Sequence, residues 1–136
     1  MDECVFCGIA AKRISSKIVY EDASTVAMLD IYPVKEGHTL ILPKKHYENI
    51  YDMPDDELKN VIAVAKKLSL AYKKAFNADG INLLHATGQA AGQSVLHYHM
   101  HLIPRHNGDG LRMWPERTGT GINLDAALAK IQLAMR

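Results

Sequence analysis

Val95-Leu96-His97-Tyr98-His99-Met100-His101-Leu102-Ile103 sets three histidines at alternate positions. In an extended strand successive side chains point to opposite faces. His97, His99 and His101 then share one face, and Tyr98, Met100 and Leu102 the other. At a rise of about 3.3 Å per residue, neighbouring imidazoles sit roughly 6–7 Å apart along such a strand. A row of imidazoles with an apolar row behind it is a costly arrangement for a core strand that has no chemistry to perform. Pro104 follows the run, and Ala90-Ala91-Gly92-Gln93-Ser94 precedes it. That small-residue turn is able to bring backbone N–H groups close to an anion. The stretch points to nucleophilic or metal chemistry on a phosphate.

Working outward, Val95–Ile103 reads as a fifth strand, joined through a wide hairpin at Ala86–Ser94 to a fourth at Ile81–His85. Lys17–Glu21 and Thr25–Asp30 form a strand pair about the turn Asp22-Ala23-Ser24, and His38–Leu42 is a central strand stopped by Pro43. Pro33 and Gly37 fix the loop between them. Met53-Pro54-Asp55-Asp56-Glu57 starts a helix, with acids at the positive end of its dipole. Leu58, Val61, Ile62, Ala65, Leu68, Tyr72, Ala75 and Phe76 make its apolar stripe, which ends near Asn77–Gly80. Arg105–Gly121 is loop, and Leu124–Met135 regains helical spacing with Asn123 or Asp125 as cap. The expected class is α+β: an antiparallel sheet of about five strands carrying one long helix, with a C-terminal helix.

The chain has 136 residues, 48% apolar and 23% charged, so one domain with its own core is expected and disorder is excluded. A net charge of +1 argues against a broad nucleic-acid surface. No run approaches the roughly 20 apolar residues of a membrane span. Met1-Asp2-Glu3 is acidic, with no signal-peptide core after it, so a cytoplasmic location is expected. The cysteines are Cys4 and Cys7, spaced as a metal half-site or redox pair. Their place at the start of the chain does not suit a redox pair that follows a strand and opens a helix.

Unperturbed imidazole titrates near 6.5, so at neutral pH each histidine can serve as nucleophile, ligand or donor. His38, following Gly37 at the head of another strand, adds a fourth imidazole. Paired histidines suit phosphoryl or nucleotidyl transfer, one attacking and a second, protonated, stabilising phosphate charge.

Ala91-Gly92-Gln93-Ser94-Val95-Leu96-His97-Tyr98-His99-Met100-His101-Leu102-Ile103-Pro104-Arg105 resembles the signature of the histidine-triad (HIT) superfamily, and best its Hint-like branch. Gly37–His46 and Cys4-Val5-Phe6-Cys7 resemble further family segments, in the family's order. The resemblance implies a single HIT domain over residues 1–136, with its core in 4–105 and a C-terminal loop and helix in 106–136. It implies hydrolysis or transfer at the α-phosphorus of purine nucleotides through a nucleotidyl-histidine, with His99 as nucleophile. Substrates would be adenosine phosphoramidates, aminoacyl adenylates or dinucleoside polyphosphates.

His101 would contact the phosphate, His38 would complete the hydrogen-bonded set, and His97 leads the triad. Gly92, Gln93 and Ser94 would line the phosphate, with side-chain or backbone donors from the last two. Asp30 would accept from the ribose hydroxyls, and Val5, Phe6, Ile9, Met28 and Ile31 would hold the base. Cys4, Cys7, His46 and His97 would make a closed Cys2His2 zinc site, hence a structural one. The plainer alternative for them is two buried thiols and a surface histidine. A homodimer is implied, with Trp114-Pro115 near the partner's site. One departure stands out: Ala86 occupies a position where many Hint-like proteins carry Asn, so His85 or Thr87 compensates or the leaving group is held differently. Two other classes fit less of the pattern: a nucleotide- or partner-binding module with incidental hydrolysis, and a zinc or redox protein without nucleotide activity.

Overall fold

The computed structural model describes residues 4–136; Met1–Glu3, which carry the acidic-start reading, lie outside them. Helix α1 (Val5–Ala10) is followed by β1 (Ile18–Glu21), β2 (Thr25–Leu29), β3 (Thr39–Pro43), α2 (Asp55–Ala75), β4 (Gly80–Leu84), β5 (Met100–Arg105) and α3 (Leu124–Ala134). The strands form one open sheet in the order β1-β2-β3-β5-β4, with every neighbouring pair antiparallel. This is the expected α+β class with five strands. No helix among the described residues is long and apolar enough to cross a membrane.

Period-two alternation sorts the central strands onto two faces. Ala27, Ile41 and Leu102 face one way and pack with Tyr98 against Val61, Val64, Ala65, Leu68 and Tyr72 of α2. Val26, Met28, Leu40 and Leu42 face the other way, against Phe6 and Ile9 of α1. Asp55, Asp56 and Glu57 occupy the first turn of α2 and Lys73 and Lys74 its last, each sign suited to the dipole there. Three residues depart from the expected stripe: Ile62 and Ala75 are exposed, and Val64 is buried in place of Ile62.

The strand expected over Val95–Ile103 begins only at Met100. The cause lies across the sheet. Ile41 pairs with Met100, and the same register continued by two residues sets Pro43 opposite Tyr98. Proline has no N–H to give a ladder. The Tyr98 N–H turns to Tyr47 O at 2.7 Å instead. The alternation of faces nevertheless survives upstream of the ladder: Tyr98 enters the α2 core while the rings of His97 and His99 both meet Phe6 of α1.

Two ties fix the start of β3. Thr39 Oγ1 donates to Gly37 O at 2.8 Å and accepts from Tyr72 Oη at 2.6 Å, joining α2 to the residue beside His38. Gly37 sits at φ 90°, and a Cβ there would lie 2.8 Å from both the Phe76 ring and Pro104. Only glycine fits. At the C-terminus, Asn123 caps α3 through Ala126 N–H at 3.0 Å, and no residue of that helix is buried.

Candidate functional site

His38, at the head of β3, and His101, within β5, are brought together by the antiparallel pairing of those strands. Their hydrogen bonds fix the tautomers. The Val34 N–H can only donate, and it reaches His38 Nδ1 at 3.1 Å. In the neutral ring the proton then sits on Nε2, which donates to His101 Nδ1 at 2.9 Å. His101 must therefore carry its own proton on Nε2. Asp30 stands behind this pair, with Oδ2 3.5 Å from His38 Nε2 and Oδ1 accepting from the Tyr32 N–H at 2.9 Å. Asp30, His38 and His101 could geometrically hold a cation. A metal on His38 Nε2 would force its proton onto Nδ1, facing the Val34 N–H, so the set is better satisfied as a hydrogen-bond relay.

His99 Nδ1 donates to His97 O at 2.7 Å, which leaves Nε2 as a lone pair. The His99 and His101 ring centroids are 5.1 Å apart, closer than flat-strand spacing predicts. Burial pushes His99 and His38 below the ordinary imidazole range. His101 falls to about 4, from burial first and then from His99 and His38. The second imidazole is thus a neutral donor through Nε2–H at pH 7, not the protonated one the sequence allowed.

A stability prediction follows. An unfolded histidine binds a proton below about pH 6.5, whereas folded His101 resists it down to about pH 4. His101 therefore makes stability fall as pH drops through that window and adds no further loss below it. Denaturant midpoints of wild type and His101→Asn should converge between pH 7 and pH 4.5; a constant gap across that range contradicts the assignment.

A pocket of about 470 Å³ opens between α1, β2 and this histidine wall. Val5, Phe6, Ile9, Met28 and Ile31 line it, with Asp30, Ser94, His99 and His101 at its polar side. Leu40, Ile14, Ser15, Ser16, Leu29, Tyr32 and Val95 also line it and were not anticipated. Leu40 was legible, since alternation puts it on the same strand face as His38, and it pairs with Met28 across the sheet; the 14–16 loop carries no pattern.

Three expected residues sit elsewhere. Gln93 is buried and fully engaged within the chain: Oε1 accepts from Gly88 N–H at 2.9 Å, and Nε2 donates to Glu48 O and Val95 O at 2.6 and 3.1 Å. Its backbone N–H goes to Gly88 O and that of Gly92 to Gln89 O, at 3.1 and 3.0 Å. These two shape the turn and donate nothing to the pocket, which leaves Ser94 on its wall. The third is His97, whose fully buried imidazole faces away from the pocket and whose carbonyl holds His99.

His97 instead completes a Cys/His cluster. Its Nε2–H donates to Pro43 O at 2.8 Å, so Nδ1 is a lone pair, 3.4 Å from Cys4 Sγ and 3.5 Å from Cys7 Sγ. His46 Nδ1 lies 3.3 Å from Cys7 Sγ. All four ligand atoms fall within 4.8 Å of one another. The three sulfur–nitrogen separations of 3.3–3.5 Å match the edges, roughly 3.5 Å, of a tetrahedron with metal bonds of about 2.0–2.3 Å. The His97–Pro43 bond is the carbonyl support that metal-bound imidazoles use. Burial and the neighbouring Cys4 push the Cys7 thiol up to about 11, an environment that a cation would reverse. The donor set and its spacing fit zinc.

Comparison with known proteins gives a consistent picture. The family model described as HIT domain matches residues 11–108. An uncharacterized HIT-like protein of Methanocaldococcus jannaschii is 50% identical over 107 residues, covering 79% of this chain and 82% of its own length. A zinc-bound histidine triad family protein from Mycobacterium smegmatis superposes with a TM-score of 0.80 at 38% identity, over 98% of each chain. A hypothetical histidine triad nucleotide-binding protein from Sulfolobus tokodaii superposes with a TM-score of 0.75 at 42% identity, over 84% of this chain and 78% of its own.

Proposed function

Since the chain belongs to the HIT domain family, we propose that it is a nucleotide hydrolase or transferase acting at the α-phosphorus of purine nucleotides through a nucleotidyl-His99 intermediate. One observation carries the reading: His99 donates Nδ1–H to His97 O at 2.7 Å and so turns an unprotonated Nε2 to a pocket beside His101. Burial keeps that ring neutral near pH 7. Attack of Nε2 on phosphorus forms the N–P bond, and the bond to the leaving group breaks with its electron pair on the departing atom. The imidazole becomes cationic, and the His97 carbonyl stabilises the proton retained on Nδ1. The oxygen of water, or of an acceptor in transfer, then bonds to phosphorus and gives up its proton; the N–P bond breaks with its electron pair returning to Nε2, which releases the nucleotide.

In this reading His101 donates Nε2–H to the phosphate, and His38 keeps His101 in that tautomer. Ser94 adds a donor, Asp30 receives the ribose hydroxyls, and the apolar wall from Val5 to Met28 takes the base. Adenosine phosphoramidates, aminoacyl adenylates and dinucleoside polyphosphates present the required α-phosphorus. A panel of such adenosine and guanosine compounds with product analysis tests the reading: it requires release of the 5′-nucleotide. Turnover no faster than the spontaneous reaction, with nucleotide still bound, would make the protein a binding module instead.

Zinc belongs, in our reading, to Cys4, Cys7, His46 and His97. Bound there, it supplies a structural crosslink between α1 and the triad, with no open position for water. A thiolate site of this kind suits a reducing compartment, so we place the protein in the cytoplasm. We read residues 1–136 as one HIT domain, its ligand a free nucleotide and not a nucleic acid or membrane.

The assembly we propose is a homodimer. Strand β4 ends the sheet and leaves a row of backbone groups on its free side. Leu124, Leu128, Ile131 and Leu133 of α3 are all more than half exposed, so that helix has no cover from its own chain. A two-fold interface covers both surfaces at once. Sedimentation at micromolar concentration should give a dimer, and truncation after Arg105 should shift substrate preference more than the chemical step. A fully active monomer contradicts the arrangement.

A further inference from the structure

We propose that His85, supported by Thr87, is a positioning residue that holds the backbone of the nucleophile His99. The inference rests on the reading of His99 given above, and begins with a gap in the sheet. His97–His99 run past the start of β5, opposite a proline on one side and beyond the end of β4 on the other. Continuing the β4–β5 register from Leu84–His101 by two residues sets Ala86 opposite His99. No ladder forms there. In its place the His85 imidazole donates Nδ1–H to His99 O at 3.1 Å.

The rest of the ring's environment enforces that direction. A carbonyl can only accept, so the proton is on Nδ1 and Nε2 is a lone pair. Thr87 Oγ1 lies 2.7 Å from Nε2 and donates to it, while itself accepting from the Ile50 N–H at 3.3 Å. The ring lies against buried Tyr98, with centroids 4.2 Å apart and planes 32° apart. One tautomer satisfies every polar atom. His99 is therefore held twice: its ring by His97 O and its main chain by His85. The ring of His85 itself does not line the pocket. This accounts for Ala86, which offers no side-chain donor: the residues on either side of it supply the relay.

Two substitutions separate the donor from the ring. His85→Phe keeps an aromatic face on Tyr98 and removes the N–H; His85→Asn keeps a side-chain N–H near the Nδ1 position and removes most of the ring. Steady-state kinetics on adenosine 5′-phosphoramidate, with AMP binding measured alongside, read the outcome. Misplacing a reacting group acts on the transition state, so His85→Phe should lower kcat about tenfold with KM and AMP affinity within about twofold. His85→Asn should return kcat to within about threefold of wild type. Thr87→Val, at an accessible site, should lower kcat about threefold and serves if His85→Phe fails to fold. Full kcat in His85→Phe, or in Thr87→Val where His85→Phe is unfolded, overturns the proposal. So does an Asn variant no better than Phe, or an effect confined to KM. A wild type with no turnover overturns the nucleotidyl-transfer reading and this role together; an active wild type with an indifferent His85 overturns this role alone.

Discussion

His99→Ala should lose essentially all turnover, by roughly 10⁴-fold or more, as removal of a covalent nucleophile does elsewhere. Mononucleotide affinity should stay within about tenfold, because a nucleophile contributes to the transition state more than to ground-state binding. The geometry supports the split. Removing the His99 ring leaves the His38–His101 relay, Asp30 and the apolar wall in place. It deletes the Nδ1–H bond to His97 O, the free Nε2 and the ring's edge contact with Phe6. His99→Asn should behave alike, since an amide nitrogen has no lone pair to offer phosphorus. Turnover within a few fold of wild type in either variant would remove His99 from the reaction.

The second large effect concerns metal. Protein purified without chelator should contain one zinc per chain, and Cys4→Ser should lose it. Structural zinc in finger peptides is worth roughly 10–16 kcal/mol, less in a domain that is otherwise folded. The site also caps α1 with Cys4 Sγ, which accepts from the Cys7 N–H at 3.4 Å. Cys4→Ser should therefore lower the thermal midpoint before it lowers kcat, since zinc enters no chemical step. The damage it does to rate would travel through His97, whose ring faces the two cysteines and whose carbonyl holds His99. Zinc-free wild-type protein with the same thermal midpoint would exclude the site.

Where pattern is local, the fold was legible. The apolar, β-branched runs Thr25–Leu29 and Thr39–Pro43, the stripe of α2 and the Asn123 cap all follow from composition, residue periodicity or side-chain chemistry within one segment. The β5 boundary was not, because what stops the ladder at Met100 is a proline on another strand. Helix α1 is six residues long, too short for any periodicity. Among the site residues, Gln93 shows the limit most clearly. Its amide is as suited to a phosphate as to Glu48 O, and only the path of the 46–50 segment decides between them. His97 was assigned to both the triad and the zinc set, and the fold sends its imidazole to the cysteines and its carbonyl to His99. His85 carried no signal beyond lying next to Ala86, since its role depends on a carbonyl fourteen residues away.

A covalent adenylyl-His99 is detected by a rapid quench of wild-type protein with adenosine 5′-phosphoramidate, followed by peptide mapping under alkaline conditions. An acid-labile adenylyl adduct on His99 that forms and decays at rates consistent with kcat is the predicted result. An adduct on His101, or full turnover with no adduct on any residue, would contradict it.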